Sequence, residues 1–331
     1  MKHIPSHYLP SRYLPSRCLA ALIMAGSVLP TAIAVRAAAP TTLTIFAAGT
    51  LAVPFKQVSA IFEKQSPNVT VQAQFGGSVK MAKQITDLHQ DADLLAVADY
   101  NVIPKYMFGK PAYASWYAGI ARNAITFVYT DKSKYANEIN SGNWYKILAR
   151  PGVEIGRSNP DTDPSGYQTV QMLNLAEKYY KEPGLEKSVL ANAPLANMRD
   201  TETSLISALQ LGQIDYLAIY RSDALQHHLK FIDLPKQINL SDPAESAAYR
   251  QGIAHTKNGD LAGTPIVYAI TTVDGSTHAD LAEKYVALLL GPQGQAVMKS
   301  NGFGAFSPAY AVHVEAMPAG LKHLVKPWPG S

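Results

Sequence analysis

The chain has 331 residues, 47% hydrophobic and 16% charged, enough for a large core in one large or two ordinary domains and too apolar for global disorder. Its single cysteine excludes a disulfide framework and a multi-cysteine zinc or iron–sulfur site. The formal charge of +4 resides in residues 1–39, which hold Lys2, Arg12, Arg17, Arg36 and no acid; removing those four from 29 bases leaves as many as the 25 acids, so no basic surface for nucleic acid is indicated.

Residues 1–17 are polar and positively charged, 18–35 are apolar, and Ala37, Ala38 and Ala39 follow. This is the pattern of a signal peptide cleaved near Ala39, leaving an exported chain without cysteine. The competing reading is a membrane anchor. The run of about 18 residues is marginal for spanning, and Gly26 and Pro30 interrupt it. Ser16 and Arg17 before Cys18 do not make a lipobox. No later segment is long and apolar enough to span a bilayer.

Beyond the leader, 43–48 (LTIFAA), 69–75 (VTVQAQF) and 93–98 (DLLAVA) read as strands, with helices after Thr50 and over 79–88. Further strands are expected at 124–130, 153–156, 214–220 and 265–273. Helices are expected from near Gly166 and over 203–211, 278–290 and 292–300. Strands alternating with helices predict α/β architecture with largely parallel sheets.

Three turns repeat one design of strand, small residues, then helix: Ala48-Gly49-Thr50, Gly76-Gly77-Ser78 and Asp163-Pro164-Ser165-Gly166. A helix N-terminus offers unpaired N–H groups and partial positive charge, so it suits an anion. Gly49, Gly77 and Gly166 would let a ligand approach the backbone, and the hydroxyls of Thr50, Ser78 and Ser165 add neutral donors. Taken singly, each turn is equally an ordinary N-cap. Together they point to a ligand at the carboxyl ends of parallel strands. Tyr220 ends the strand 214–220, where it caps a site or simply edges the core. Asp161, Asp163 and Glu202 stand at helix starts, where acids commonly cap. Beside a bound dianion a carboxylate repels, unless it reaches a metal centre or accepts a proton.

Catalytic signatures are missing: there is no G-x-S-x-G, H-E-x-x-H or P-loop. Ser165 with His227 or His228 is the one nucleophile–base pair available to an exported hydrolase, and nothing in the sequence brings them together. Trp116, Trp144 and Trp328 have no spacing that suggests a base- or sugar-stacking platform.

With these loops in view, the chain resembles the molybdate/tungstate-binding solute-binding proteins of ABC importers, in the branch with expanded metal coordination. The resemblance rests on FAAGTL (46–51), PNVTVQAQFGGSVKMAKQI (67–85), ADLLAVADYNVIP (92–104), NWYKILARPGVEIGRSNPDTDPSGYQT (143–169), YYKEPGL (179–185), IDYLAIYRSDALQH (214–227), LPKQINL (234–240) and LLLGPQGQAVMKSNGF (288–303). It implies a two-lobed periplasmic-binding-protein fold of type II, with the oxyanion in the cleft. Lobe 1 would be 40–127 plus 265–331 and lobe 2 would be 128–264. Thr50 and Ser78 would match the family's two first-lobe hydroxyls, Ser165 its second-lobe N–H donor and Tyr220 the closing tyrosine. Asp163, in the D-P-x-G-Y motif, would approach the metal of the oxyanion, with Glu202 as a further candidate. Ile219 stands where many relatives carry an acid, and Ala47 and Thr50 also depart from the common first loop. The implied partners are molybdate or tungstate and an inner-membrane ABC permease. A periplasmic monomer without cofactor is expected. Sulfate, thiosulfate or phosphate is the alternative ligand class.

Overall fold

Over residues 40–306 and 308–329, described by a computed structural model, the alternating segments become two sheets flanked by helices. The leader expected over 1–39 lies outside the described residues. In chain order the strands are β1 (Thr41–Ala48), β2 (Val69–Gly76), β3 (Leu94–Val97), β4 (Tyr117–Arg122), β5 (Ile125–Tyr129), β6 (Ile155–Ser158), β7 (Met198–Arg199), β8 (Tyr216–Tyr220), β9 (Lys230–Phe231), β10 (Ile253–Thr256), β11 (Gly259–Ala262), β12 (Val267–Thr272), β13 (Gly304–Ala305), β14 (Ala309–Val312) and β15 (Val325–Pro327). The larger sheet runs β15-β14-β4-β12-β3-β1-β2, with β13 also on β4; the smaller runs β7-β6-β8-β5-β9; β10 and β11 form a separate hairpin. The chain passes from the larger sheet to the smaller between β4 and β5 and returns between β11 and β12.

Burial on both faces explains the apolar runs. Leu43, Ile45 and Ala47 of β1 pack with Phe55 and Phe62 of the helix Ala52–Gln65, while Phe46 on the opposite face packs with Met81 and Ile85 of the helix Ser78–Thr86. In β8, Tyr216, Ala218 and Tyr220 share one core, and Leu217 and Ile219 face another with Leu205 and Leu209.

Register brings the loops together. β1 pairs with β2 in parallel from Thr41↔Val69 to Ala48↔Gly76, so the turns at Gly49 and Gly77 leave the sheet side by side. In the smaller sheet β6 runs parallel to both β7 and β8, so the loops after Ser158, Arg199 and Tyr220 emerge from one edge.

Both sheets are mixed, where largely parallel ones were expected. β12 is antiparallel to β3 and β4, and β5 is antiparallel to β8. A strand that enters a sheet from the loop edge must run against those whose carboxyl ends finish there. The strand expected at 153–156 begins two residues later, after Gly152 with its positive φ of 78°. β4 (YAGIAR) was not anticipated, because its alanines and glycine carry little strand signal. At the C-terminal end, Trp328 packs on Tyr100 at a centroid distance of 4.9 Å. No helix among the described residues is long and apolar enough to cross a membrane.

Candidate functional site

The loops at the two sheet edges meet in a ring of buried polar contacts. On the larger-sheet side, Gly77 is the N-cap of the helix Ser78–Thr86, and the Ser78 hydroxyl accepts the Ala98 N–H at 2.9 Å. A Cβ on Gly77 would overlap Thr162 O and stand 3.0 Å from the Asp163 Cβ, so the turn lies against the opposite lobe. Asp163 is the N-cap of the helix Pro164–Tyr180, with proline in its first turn.

The Ser165 hydroxyl lies 2.7 Å from Asp163 Oδ2, 2.8 Å from Glu202 Oε2 and 2.6 Å from Ser158 Oγ. Glu202 follows Thr201, and a Cβ on Gly49 would stand 3.0 Å from Thr203 Oγ1, which returns the circuit to the first loop. Thr50 Oγ1 is 2.8 Å from Tyr268 Oη, the Tyr268 ring meets that of Tyr220 edge-on at 5.6 Å, and Tyr220 Oη donates to Gln168 Oε1 at 2.7 Å. Gln168 lies on the same helix as Ser165.

Thr50, Ser78, Asp163, Ser165, Glu202 and Tyr220 are all buried. Three loops that are distant in sequence are thereby connected through contacts. Gly166 serves helix packing, since a Cβ there would stand 2.7 Å from Ser158 O and from the backbone of Asn159 and Pro160. Asp161 is engaged elsewhere: its carboxylate accepts the Lys257 N–H at 2.8 Å and lies 3.7 Å from Lys257 Nζ. Ile219 is wholly buried in the apolar cluster with Leu205 and Leu209, on the face of β8 opposite Tyr220.

Proton counting describes the pair across Ser165. The three contacts of its hydroxyl need three protons, and the hydroxyls of Ser158 and Ser165 supply two. The third belongs on a carboxyl of Asp163 or Glu202. Burial pushes both acids up, Glu202 far above its ordinary range, with the neighbouring charges of Asp163 and Asp223 adding to it. Asp223, at the start of the helix Arg221–Gln226, is raised to about 8, chiefly by burial. Burial likewise holds the Tyr220 and Tyr268 hydroxyls far above their ordinary range, so both remain donors at neutral pH. No lysine or arginine is among the hydrogen-bond partners named in the ring.

Several contributors escaped the sequence reading. Tyr268 sits inside the apolar strand β12. Asn123 lies at the crossing between β4 and β5, where its amide nitrogen donates to Ser222 Oγ at 2.8 Å. Gln168 and Ser158 look like unremarkable helix and strand residues. Asp223 had a signal, an acid three residues after the strand that ends in Tyr220. No hydrogen bond joins Ser165 to His227 or His228; His227 instead lines a groove of about 420 Å³ with Gly49, Phe75 and Asp223 at the junction of the lobes.

This two-lobed arrangement, with ligand-type loops facing each other across a cleft, defines a solute-binding protein. The chain belongs to the family of bacterial extracellular solute-binding proteins, whose model matches residues 43–304. It is 39% identical over 290 residues to an uncharacterized solute-binding protein of Petrotoga mobilis, covering 86% of this chain and 90% of that one. It is 36% identical over 312 residues to the molybdate/tungstate-binding protein WtpA of Pyrococcus abyssi, with the same 86% and 90% coverage. Among solved structures, the periplasmic molybdate-binding protein of Azotobacter vinelandii superposes with a TM-score of 0.61 at 18% identity, over 80% of this chain and all of that one. The sulfate-binding protein SubI of Mycobacterium tuberculosis gives 0.54 at 17% identity, over 81% and 88%. At these identities the structural likenesses speak for the fold alone.

Proposed function

We propose that this chain captures molybdate or tungstate in the cleft, without turning it over, and delivers it to an ABC permease. In this reading the chain is exported to the periplasm with cleavage near Ala39 and acts as a monomer without cofactor. Lobe 1 is 40–127 plus 265–331 and lobe 2 is 128–264. Thr50, Ser78, Ser165 and Tyr220 are the oxyanion donors, joined by backbone N–H groups at the three helix starts.

The observation that carries this reading is the buried pair of Asp163 and Glu202 across the Ser165 hydroxyl, at the N-terminus of the helix Pro164–Tyr180. Neutral donors at a helix N-terminus suit any oxyanion. Two carboxyls in the same place do not suit sulfate, whose sulfur accepts no further oxygen ligands. The d⁰ metal of molybdate or tungstate can accept them, so the acids act on the metal while the hydroxyls hold the oxygens. The kinship to WtpA, which is named for the same two ions, supports the choice.

Calorimetry of the purified chain with tungstate, molybdate, sulfate and phosphate in parallel tests it. One-to-one binding of tungstate or molybdate alone is expected, weakened by Asp163→Ala. Binding of sulfate or phosphate alone would keep the fold and overturn the ligand.

A further inference from the structure

Away from the ring, the lobes meet a second time through the turn of the hairpin β10–β11. Asn258 at that turn serves both sides. Its amide nitrogen donates to Asp161 O at 2.8 Å, its side-chain oxygen accepts from Lys83 Nζ at 3.0 Å, and its carbonyl accepts from Lys105 Nζ at 2.9 Å. Lys83 lies on the helix Ser78–Thr86 and Lys105 on the helix Val102–Met107, both packed on the larger sheet. Asp161 belongs to the loop 159–163 that ends in Asp163, and its carboxylate accepts the Lys257 N–H. The hairpin turn therefore grips lobe 1 and the site loop of lobe 2 at once. Next to it, Tyr167 Oη donates to Asp99 Oδ2 at 2.7 Å, a buried hydrogen bond between the lobes.

We infer that Asn258 is a positioning residue for ligand capture. When the cleft closes, the hairpin turn clasps Lys83 and Lys105, and the same residue holds the Asp161–Asp163 loop in its binding geometry. The Asn258 side chain serves both Lys83 and the Asp161 carbonyl, so removing it loosens the clasp and frees the loop that carries Asp163, while the Lys105 contact stays on the Asn258 main chain. Hydrogen bonds with a charged donor are the stronger kind, and those from Lys83 and Lys105 must exchange with water before the lobes part. The clasp thus acts on the lifetime of the closed state rather than on the encounter of ligand with the open cleft. This inference rests on the oxyanion reading for its ligand, but its geometry does not depend on which ion is bound.

The test uses the full chain with Cys18→Ser and a dye pair on cysteines introduced by Leu88→Cys and Leu195→Cys, at residues 65% and 76% exposed on opposite lobes. Stopped-flow mixing with tungstate gives association and release rates, and the ligand-free distance distribution reports closure. Asn258→Ala is expected to speed release about tenfold with association unchanged, and to shift the ligand-free distribution toward the open form. The double variant Lys83→Met/Lys105→Met, which leaves the hairpin untouched, is expected to do the same. Release rates equal to the parent in both would overturn the clasp. If the parent does not bind tungstate, the oxyanion reading falls and the ligand-free distribution alone decides: an open shift in both variants supports the clasp, and no shift refutes it.

Discussion

Asp223→Asn isolates the cost of keeping acids in the cleft. Asp223 is 1% exposed, and its carboxyl is raised from 3.8 to about 8, first by burial and then by the Asp163 charge. A raised acid makes the folded state bind its proton more tightly than the unfolded chain does. Its neutral form is therefore fully compatible with folding below the unfolded value, and stability falls as pH rises towards the folded value. Each pH unit in that window costs about 1.4 kcal/mol per such proton. From about pH 5 to pH 8 Asp223 alone then removes about 4 kcal/mol, a large part of a typical 5–15 kcal/mol. Asp99, Asp163 and Glu202 are raised by burial too and act in the same direction. An asparagine keeps the shape and cannot ionise. Urea denaturation of the ligand-free protein across that range should give the variant a pH slope shallower by about one proton. Parallel slopes for parent and variant would refute the assignment of a buried, protonated Asp223.

Three further outcomes follow from the geometry. Gly77→Ala places a methyl against Thr162 O, 3.0 Å from both Asp163 Cβ and Asp200 O across the cleft; calorimetry should show tungstate affinity at least about tenfold weaker. Tyr268→Phe removes the hydroxyl that Thr50 Oγ1 meets at 2.8 Å and Asn123 Nδ2 approaches at 3.4 Å, and should cost about 1–3 kcal/mol in urea denaturation. Phe55→Ala empties a fully buried site beside Tyr285 and should cost about 3–5 kcal/mol; a loss under about 1 kcal/mol would mean that this core is not packed as described.

What could be read from the sequence depended on locality. The turns at Gly49, Gly77 and Asp163 announce themselves, because strand, small residues and helix are contiguous and helix capping has a short-range code. β4 was missed for the opposite reason: YAGIAR has weak strand propensity, and its place is decided by pairing with β12 and β14, whose residues come about 150 positions or more later. Asp161 and Asp163 look alike in the sequence, both acids in one loop. The structure separates them through a hairpin about a hundred residues away, which takes the carboxylate of Asp161 and leaves that of Asp163 to Ser165. Strand alternation alone places Ile219 and Tyr220 on opposite faces of β8, but not which face turns to the cleft.

The helix Pro164–Tyr180 explains why so much converges in one place. Its cap and first turns carry Asp163, Ser165, Tyr167 and Gln168, and the last three each reach a different element. Ser165 meets Glu202 after β7, Tyr167 meets Asp99 of the opposite lobe, and Gln168 meets Tyr220 at the end of β8. Ser165 and Tyr167, two positions apart, point in different directions, while Gln168 lies one turn from Ser165 on the same face, so a single helix start can hold three partners of the site at once. A small displacement of this helix must disturb the acid pair, the interlobe contact and the tyrosine together. The acid pair, the interlobe contact and the tyrosine are thereby tied to the position of one helix.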